Sequence, residues 1–251
     1  MKKIKSVQLL IVFWVAICLL LAIGLLTGYG AVTIRTNALQ AAKDALHAET
    51  TASANSIDAE MEMPLDASRT LAQLLSSQIS SNNTLSREEV TTMLKEVLLQ
   101  NPSFFGVSTE WEPNAFDGQD SKFAGLENND ETGHLSIYWY RDGNDIAQTY
   151  LPRLADDDPA YIYYILPKQN MQEVVTDPYI YPVNGKDVLM TSFMSPIIVD
   201  GKFYGVAGID MTLDFLQAFA DQATEYNPNV KLTVFSHAGL IAGSTSHPEL
   251  I

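Results

Sequence analysis

The chain has 251 residues and a formal net charge of −15, and 47% of its residues are hydrophobic. So acidic a balance disfavours binding to nucleic acids or to anionic lipid surfaces by the polar part of the chain. A single cysteine excludes an intramolecular disulfide framework, and we expect no thiol chemistry.

An apolar segment begins close to the N-terminus. No charged residue occurs between Lys5 and Arg35, and residues 7–34 are apolar enough and long enough to cross a bilayer as one helix. A cleaved signal peptide has a shorter apolar region, so an uncleaved anchor is favoured. The lysines of residues 1–6 predict a cytoplasmic N-terminus. The bulk of the chain is then expected on the outer side of the membrane.

The next segment, residues 35–100, is predicted to form periplasmic helices. Its first part is rich in helix-forming residues, and apolar residues recur every three, four or seven positions, which indicates a long stalk helix with a narrow apolar stripe. We expect Pro64 to kink or break this helix. Ser86 and Glu89 form a capping-box pattern that predicts the start of a second helix.

Beyond residue 101, short aromatic and β-branched runs alternate with Gly, Asn, Asp and Pro clusters. The NGK and DGK turns predict an antiparallel meander of three strands. A further helix begins near Thr212, and residues 230–245 open a hairpin of a second sheet. Because the helices precede the sheet instead of alternating with it, the fold class is predicted as α+β. The strands are predicted at residues 104–111, 134–141, 174–181, 188–199 and 202–211.

No motif in the sequence predicts a catalytic centre. The four histidines lack metal-ligand spacing, and the HxxEH, CxxC and GxSxG patterns are absent. The acidic run at 156–158 is compatible with calcium, but a solvated loop is favoured. We therefore expect neither an enzyme nor a bound metal or cofactor.

Clusters of aromatic residues provide the candidate ligand site. Buried phenols need hydrogen-bond partners, so this concentration favours a concave aromatic site, with simple core packing as the alternative. In a strand, residues two apart share a face, which places the rings of Tyr179 and Tyr181 together. Asp210 either caps the following helix or points into the aromatic site to bind an ammonium group. The candidate site residues are Asp210, Trp139, Tyr138, Tyr161, Tyr163, Tyr164, Tyr179 and Tyr181.

Four motifs, in this order along the chain, together resemble the double Cache sensor domain of bacterial methyl-accepting chemotaxis proteins. The resemblance implies a membrane-distal, PAS-like ligand-binding subdomain at residues 101–222. It also implies that residues 223–251 begin a membrane-proximal subdomain, so that the chain is expected to be an N-terminal fragment. The motifs are EWEPNAFDGQD (110–120), TGHLSIYWYR (132–141), DPYIYPVNGKDVLMTSFMSPI (177–197) and FYGVAGIDMTLD (203–214).

The resemblance also bears on the ligand. Amino-acid-binding members of the family carry an arginine two residues before a Trp-Tyr pair, which binds the ligand carboxylate, and a later aspartate, which binds the ammonium group. Here Tyr161 stands at the arginine position, Tyr163 and Tyr164 at the pair, and Asp210 at the aspartate. The resemblance therefore implies an amine or quaternary ammonium ligand.

Other interpretations stay open at this point. An amino-acid ligand is possible if Arg141 or Arg153 supplies a non-standard carboxylate clamp. The resemblance implies a homodimeric membrane chemoreceptor that signals to a cytoplasmic chemotaxis kinase complex. The alternatives are the sensor region of a histidine kinase or diguanylate cyclase, a membrane-anchored enzyme, and a structural adhesion module.

Overall fold

The structure, a computed structural model, describes residues 3–81, 85–226 and 231–247. The turn predicted at residues 82–84 and the chain end at 248–251 lie outside these ranges. The helices are α1 (Lys3–Ser81), α2 (Arg87–Gln100), α3 (Asp120–Phe123), α4 (Ile162–Asn170) and α5 (Asp214–Tyr226). The strands are β1 (Gly106–Trp111), β2 (Ser136–Asp142), β3 (Asp145–Thr149), β4 (Val174–Val175), β5 (Tyr179–Val183), β6 (Lys186–Val199), β7 (Lys202–Thr212), β8 (Thr233–Phe235) and β9 (Ile241–Ser244).

The chain divides into two compact units, Met1–Ser56 and Ile57–Ile251. In the first unit, α1 exposes apolar side chains such as Leu9 and Ile34, and the helix is long and apolar enough to cross a membrane. Within the second unit, α1 runs through the buried Pro64 without a break, so the expected helix break is wrong. Proline removes one backbone hydrogen bond from the helix, but the helix continues on both sides of it.

The second unit is built on a seven-stranded sheet in the order β3-β2-β1-β7-β6-β4, with β5 also paired to β6. Every pairing is antiparallel, which confirms the predicted meander of β5, β6 and β7 and the α+β class. At both predicted turns the central residues, Asn184–Gly185 and Asp200–Gly201, have positive φ angles. This backbone geometry matches the turns that join strands of a right-handed twisted hairpin.

The sheet has two faces of different chemistry because successive residues of a strand point to opposite sides. One face packs against α2 and the last turns of α1 and forms a core of aliphatic, Phe and Trp side chains. The other face carries the tyrosines and is covered by α4. We call this second side the aromatic face. Its buried residues are Tyr138, Tyr140, Leu151, Tyr161, Tyr163, Tyr164, Tyr181, Val183, Met190, Met194 and Val206.

Three elements, α3, β3 and α4, were not predicted from the sequence. β3 pairs with β2 along its whole length. A 3-10 turn at Pro159–Tyr161 leads into α4, and the Asp158 carboxylate accepts a hydrogen bond of 2.8 Å from the amide of Ala160. The end of the acidic run therefore caps this turn.

Arg87 attaches the loop between β1 and β2 to α2. Its guanidinium donates to both carboxylate oxygens of Asp117 at 2.9 Å, to Asp120 at 2.7 Å and to the carbonyl of Gly133 at 2.7 Å. The same group lies 3.9 Å from the ring centre of Phe123. Because Arg87 and Asp120 are buried, this network lies in a medium where an unpaired charge is costly.

Arg87→Met should lower the free energy of unfolding by roughly 3–5 kcal/mol, since it leaves two carboxylates without their cation. The measurement is the urea midpoint of the full chain in detergent, followed by tyrosine fluorescence. Arg69→Met is the matched control, because Arg69 forms its ion pairs with Asp66 and Glu173 at the surface and should have a much smaller effect. Equal losses in the two variants would contradict the structural role of Arg87.

Candidate functional site

Asp210 lies on the aromatic face, two residues before the end of β7. It stands opposite Gly106 of β1 and Ser192 of β6. The Ser192 hydroxyl donates to the Asp210 carboxylate at 2.5 Å, and the residue is 7% exposed. Helix α5 begins at Asp214, so Asp210 is a strand residue whose carboxylate points into the aromatic face instead of capping the helix.

Burial raises the pKa of Asp210 from 3.8 to about 6, against the opposing effect of the Ser192 and Tyr138 hydroxyls. The Tyr138 hydroxyl is also buried and lies near this carboxylate, yet within the described ranges it forms no hydrogen bond of good geometry. The carboxylate is thus incompletely stabilised by protein donors. Such a group favours a cationic partner.

Three tyrosine rings surround the Asp210 carboxylate. Tyr181 meets Tyr163 and Tyr179 edge to face, with ring centres 5.8 and 6.3 Å apart. The space that they leave is a cavity of about 10 Å³, which has room for roughly one water molecule. The predicted hollow is therefore almost filled by the rings themselves. The cavity is lined by Ser108, Leu151, Tyr163, Tyr179, Tyr181 and Asp210.

An open cleft adjoins this cavity. It has a volume of about 250 Å³ and is bounded in part by Tyr138, Tyr150 and Leu154. Tyr181 lines both the cleft and the cavity.

Glu110 of β1 is a second buried carboxylate on the aromatic face, and it was missed by the sequence analysis. The hydroxyl of Tyr161 donates to one of its oxygens at 2.7 Å, and that of Tyr163 to the other at 3.0 Å. The Nε2 atom of His134 lies 3.7 Å from the same carboxylate. The alternation of side chains along a strand could have indicated Glu110. In β1 the small residues Gly106 and Ser108 lie on the aromatic face, and residue 110 must lie on the same face.

Tyr164 belongs to an ionic cluster at the edge of the site. Its ring stacks on that of Tyr161 with centres 4.9 Å apart, and its hydroxyl donates to Glu112 at 2.6 Å. Although burial opposes the shift, Lys168, Tyr164 and Arg153 together lower the pKa of Glu112. Tyr164 therefore supports Tyr161 without lining the cavity.

Trp139 lies on the opposite face of the sheet, which corrects its prediction as a site residue. Its indole nitrogen donates to the carbonyl of Thr91 on α2 at 3.0 Å, and Lys95 lies over its ring. The reason is the alternation of the strand: with Tyr138 on the aromatic face, the next side chain must point to the helices.

Neither candidate arginine reaches the cavity. Arg141 donates to the carbonyls of Leu98, Asn101 and Phe104 at the end of α2. Arg153 contacts Glu112. Within the described residues no guanidinium lines the cavity, so the structure does not support a non-standard carboxylate clamp.

Comparison with known proteins identifies a family for the region that contains this site. Residues 90–218, about half of the chain, match the family described as "Methyl-accepting chemotaxis protein-like, first PDC sensor domain". The chain is also 32% identical over 179 residues to the methyl-accepting chemotaxis protein TlpQ of Pseudomonas aeruginosa. That alignment covers 66% of this chain and 25% of the relative, so the chain spans about a quarter of the length of TlpQ.

Solved structures share the fold. The extracellular domain of mmHK1S-Z2, assigned as a histidine kinase, is 30% identical with a TM-score of 0.68 and covers 79% of this chain and 70% of its own. A structure of "Methyl-accepting Chemotaxis protein X" is 24% identical with a TM-score of 0.66, over 83% of this chain and 75% of its own. These matches confirm the predicted α+β sensor fold.

Asp210→Asn should stabilise the ligand-free protein at neutral pH. The folded-state pKa of about 6 lies above the ordinary 3.8, so the stability that Asp210 contributes is present below about pH 4 and is lost as the pH rises through 6. One pKa unit corresponds to about 1.36 kcal/mol. Between pH 4 and pH 8, the free energy of unfolding of Asp210→Asn should therefore rise by roughly 2–3 kcal/mol relative to that of wild type. Thermal unfolding at the two pH values measures this gain.

Asp200→Asn in the β6–β7 turn is the matched control, because it makes the same change at an exposed carboxylate. A stability difference between Asp210→Asn and wild type that is the same at both pH values would rule out the buried-charge explanation.

Proposed function

This chain belongs to the methyl-accepting chemotaxis protein-like family of first PDC sensor domains, and on that premise we propose that it is the ligand-sensing part of a membrane-anchored chemoreceptor. Its apolar helix would anchor it in the bacterial inner membrane, with the sheet in the periplasm. The receptor would signal to a cytoplasmic chemotaxis kinase complex. The name of TlpQ supports this output.

The proposed ligand is a small amine or quaternary ammonium compound. The observation that carries this proposal is the Asp210 carboxylate, buried among Tyr163, Tyr179 and Tyr181 and without an ion pair to any described Lys or Arg. A ligand cation would neutralise the carboxylate and be attracted to the ring faces. A ligand carboxylate would find no guanidinium in this cavity.

Binding would require a change of conformation, because the cavity holds little more than a water molecule. Rotation of Tyr181 would admit the ligand from the adjoining cleft and displace β5, which pairs with the first part of β6. In this mechanism the ligand shifts the balance between two packings of the aromatic face. The long helix α1 would carry that shift toward the membrane.

A second candidate is the sensor region of a histidine kinase. The likeness to the extracellular domain of mmHK1S-Z2, at 30% identity, favours it. The two candidates share the ligand site and differ in the cytoplasmic output. Ligand-dependent autophosphorylation of the complete gene product would support the kinase.

Dimerisation through α1 forms part of the proposal. Leu39 and Leu46, seven residues apart, are both more than half exposed and lie on one stripe of the helix. In a Cys18→Ser background, Leu39→Cys should crosslink on mild oxidation in membranes, whereas Gln40→Cys, one residue off the stripe, should not. Equal crosslinking at the two positions would contradict a dimer along this stripe.

The ligand class can be tested with small probes on the full chain in lipid nanodiscs. Propylamine and tetramethylammonium should each raise the thermal unfolding temperature, while propionate should not. Asp210→Asn should abolish the increase, because the neutral amide offers no charge to the cation. Trp139→Phe is the control and should respond like wild type, since Trp139 contacts α2. A preference for propionate, or an undiminished response in Asp210→Asn, would overturn the amine proposal.

A further inference from the structure

We propose that Glu110 is a specificity-determining residue of this site, which selects amines that carry N–H groups over quaternary ammonium ions and carboxylates. The inference rests on the proposed amine function and extends it from Asp210 to a second carboxylate. It depends on where the hydroxyl protons of the aromatic face point.

Glu110 uses both of its oxygens to accept tyrosine protons. It is fully buried, with Tyr161 at 2.7 Å from one oxygen and Tyr163 at 3.0 Å from the other. Tyr163 is also a wall of the cavity beside Asp210. Glu110 therefore determines the direction of a hydroxyl proton in a residue that a ligand would touch.

A phenol has one proton to donate and lone pairs to accept with. Because the Tyr163 hydroxyl donates its proton to Glu110, the Tyr163 oxygen can only accept a hydrogen bond from a ligand. The Tyr179 hydroxyl has also donated its proton. The Ser192 hydroxyl donates to Asp210 at 2.5 Å, so the Tyr179 hydroxyl, whose oxygen lies 2.8 Å from that of Ser192, must be the donor to Ser192. The Tyr163 proton is thus directed to the Glu110 carboxylate and the Tyr179 proton to the Ser192 hydroxyl, so neither is available to a ligand.

This cavity wall can form hydrogen bonds only with a cation that carries N–H groups. A primary ammonium has three N–H donors, which Asp210 and the phenol oxygens can accept. A quaternary ammonium has none and gains only charge and ring attraction. A carboxylate would meet the like charge of Asp210 and two phenol oxygens whose protons are already donated. The structure therefore discriminates by proton direction as well as by charge.

The charged groups around Glu110 do not reverse this pattern. His134 is the nearest basic side chain, and its Nδ1 atom is held by Thr132 at 2.8 Å and Asp130 at 3.1 Å. Its Nε2 atom, 3.7 Å from Glu110, has no hydrogen-bond partner in the described part of the chain. The position of the Glu110 carboxylate accordingly depends on the two phenols.

Glu112 provides a matched control two residues further along the chain. It too accepts a tyrosine hydroxyl, that of Tyr164 at 2.6 Å, but it lies in the ionic cluster with Lys168 and does not contact the cavity wall. Glu110→Gln and Glu112→Gln make the same chemical change at these two positions. In Glu110→Gln the new amide donates to one of the phenols, which must then turn its proton elsewhere.

The first measurement needs no ligand. Buried hydroxyl protons of Tyr161 and Tyr163 should give downfield-shifted proton resonances in the full chain in nanodiscs, assigned by the loss of one resonance each in Tyr161→Phe and Tyr163→Phe. Glu110→Gln should shift or remove both, and Glu112→Gln should leave them in place. Unchanged Tyr161 and Tyr163 resonances in Glu110→Gln would overturn the inference.

The second measurement is calorimetric affinity for propylamine, tetramethylammonium and propionate. Wild type and Glu112→Gln should bind propylamine at least tenfold more tightly than tetramethylammonium, and Glu110→Gln should lose most of that preference. If Glu110→Gln does not fold, Tyr163→Phe replaces it: the ring remains, the acceptor is gone, and the same preference should fall severalfold. An equal affinity of wild type for both cations, or an unchanged preference in these variants, would refute the role of Glu110.

These outcomes separate the two proposals. Binding of both cations with equal affinity would leave the amine-sensing function intact and remove the role of Glu110. A wild-type protein that binds propionate and neither cation would overturn the function itself, and the hydroxyl resonances would still decide whether Glu110 holds the two phenol protons.

Discussion

A carboxylate removed from water must meet hydrogen-bond donors or a cation, and the aromatic face of this sheet contains two such groups. Glu110 is met by the phenols of Tyr161 and Tyr163, which fixes α4 and the preceding turn onto β1. Asp210 is met by Ser192, with the Tyr138 hydroxyl nearby but not well placed. The first carboxylate therefore holds the cover of the site in position. The second is the carboxylate that the proposed function assigns to the ligand cation.

Small residues in the sheet make room for this arrangement. A Cβ atom at Gly106 would lie 2.5 Å from the ring of Tyr138, and one at Gly208 would lie 2.1 Å from the sulfur of Met194. Real side chains do not pack so closely, so both positions allow the rings and Met194 to lie directly on the backbone. The rings then fill most of the space above Asp210. Under the proposed function a ligand would displace these rings, and its binding would then be coupled to their packing.

Several local features of the fold could be predicted because neighbouring residues encode them. The Asn184–Gly185 turn and the capping box of Ser86 and Glu89 were read from short segments, and the structure shows both. The helix α4 was missed because its tyrosines have no strong helical signal and its position follows from contacts with Glu110 and Glu112. Trp139 is adjacent to Tyr138 in the sequence, but the alternation of a strand turns it to the other face.

The sequence by itself determined the apolar helix near the N-terminus, the meander of β5 to β7 and the α+β class, since each is encoded in a run of adjacent residues. It also indicated Asp210 as a candidate ligand residue, through a motif of a known family. The tertiary structure alone decided which hydroxyl meets which carboxylate and how little space the rings leave. Tyr161 and Glu110 are 51 residues apart in the chain. Their contact exists only after the strands have paired in register and α4 has packed onto them, and no local pattern records that geometry.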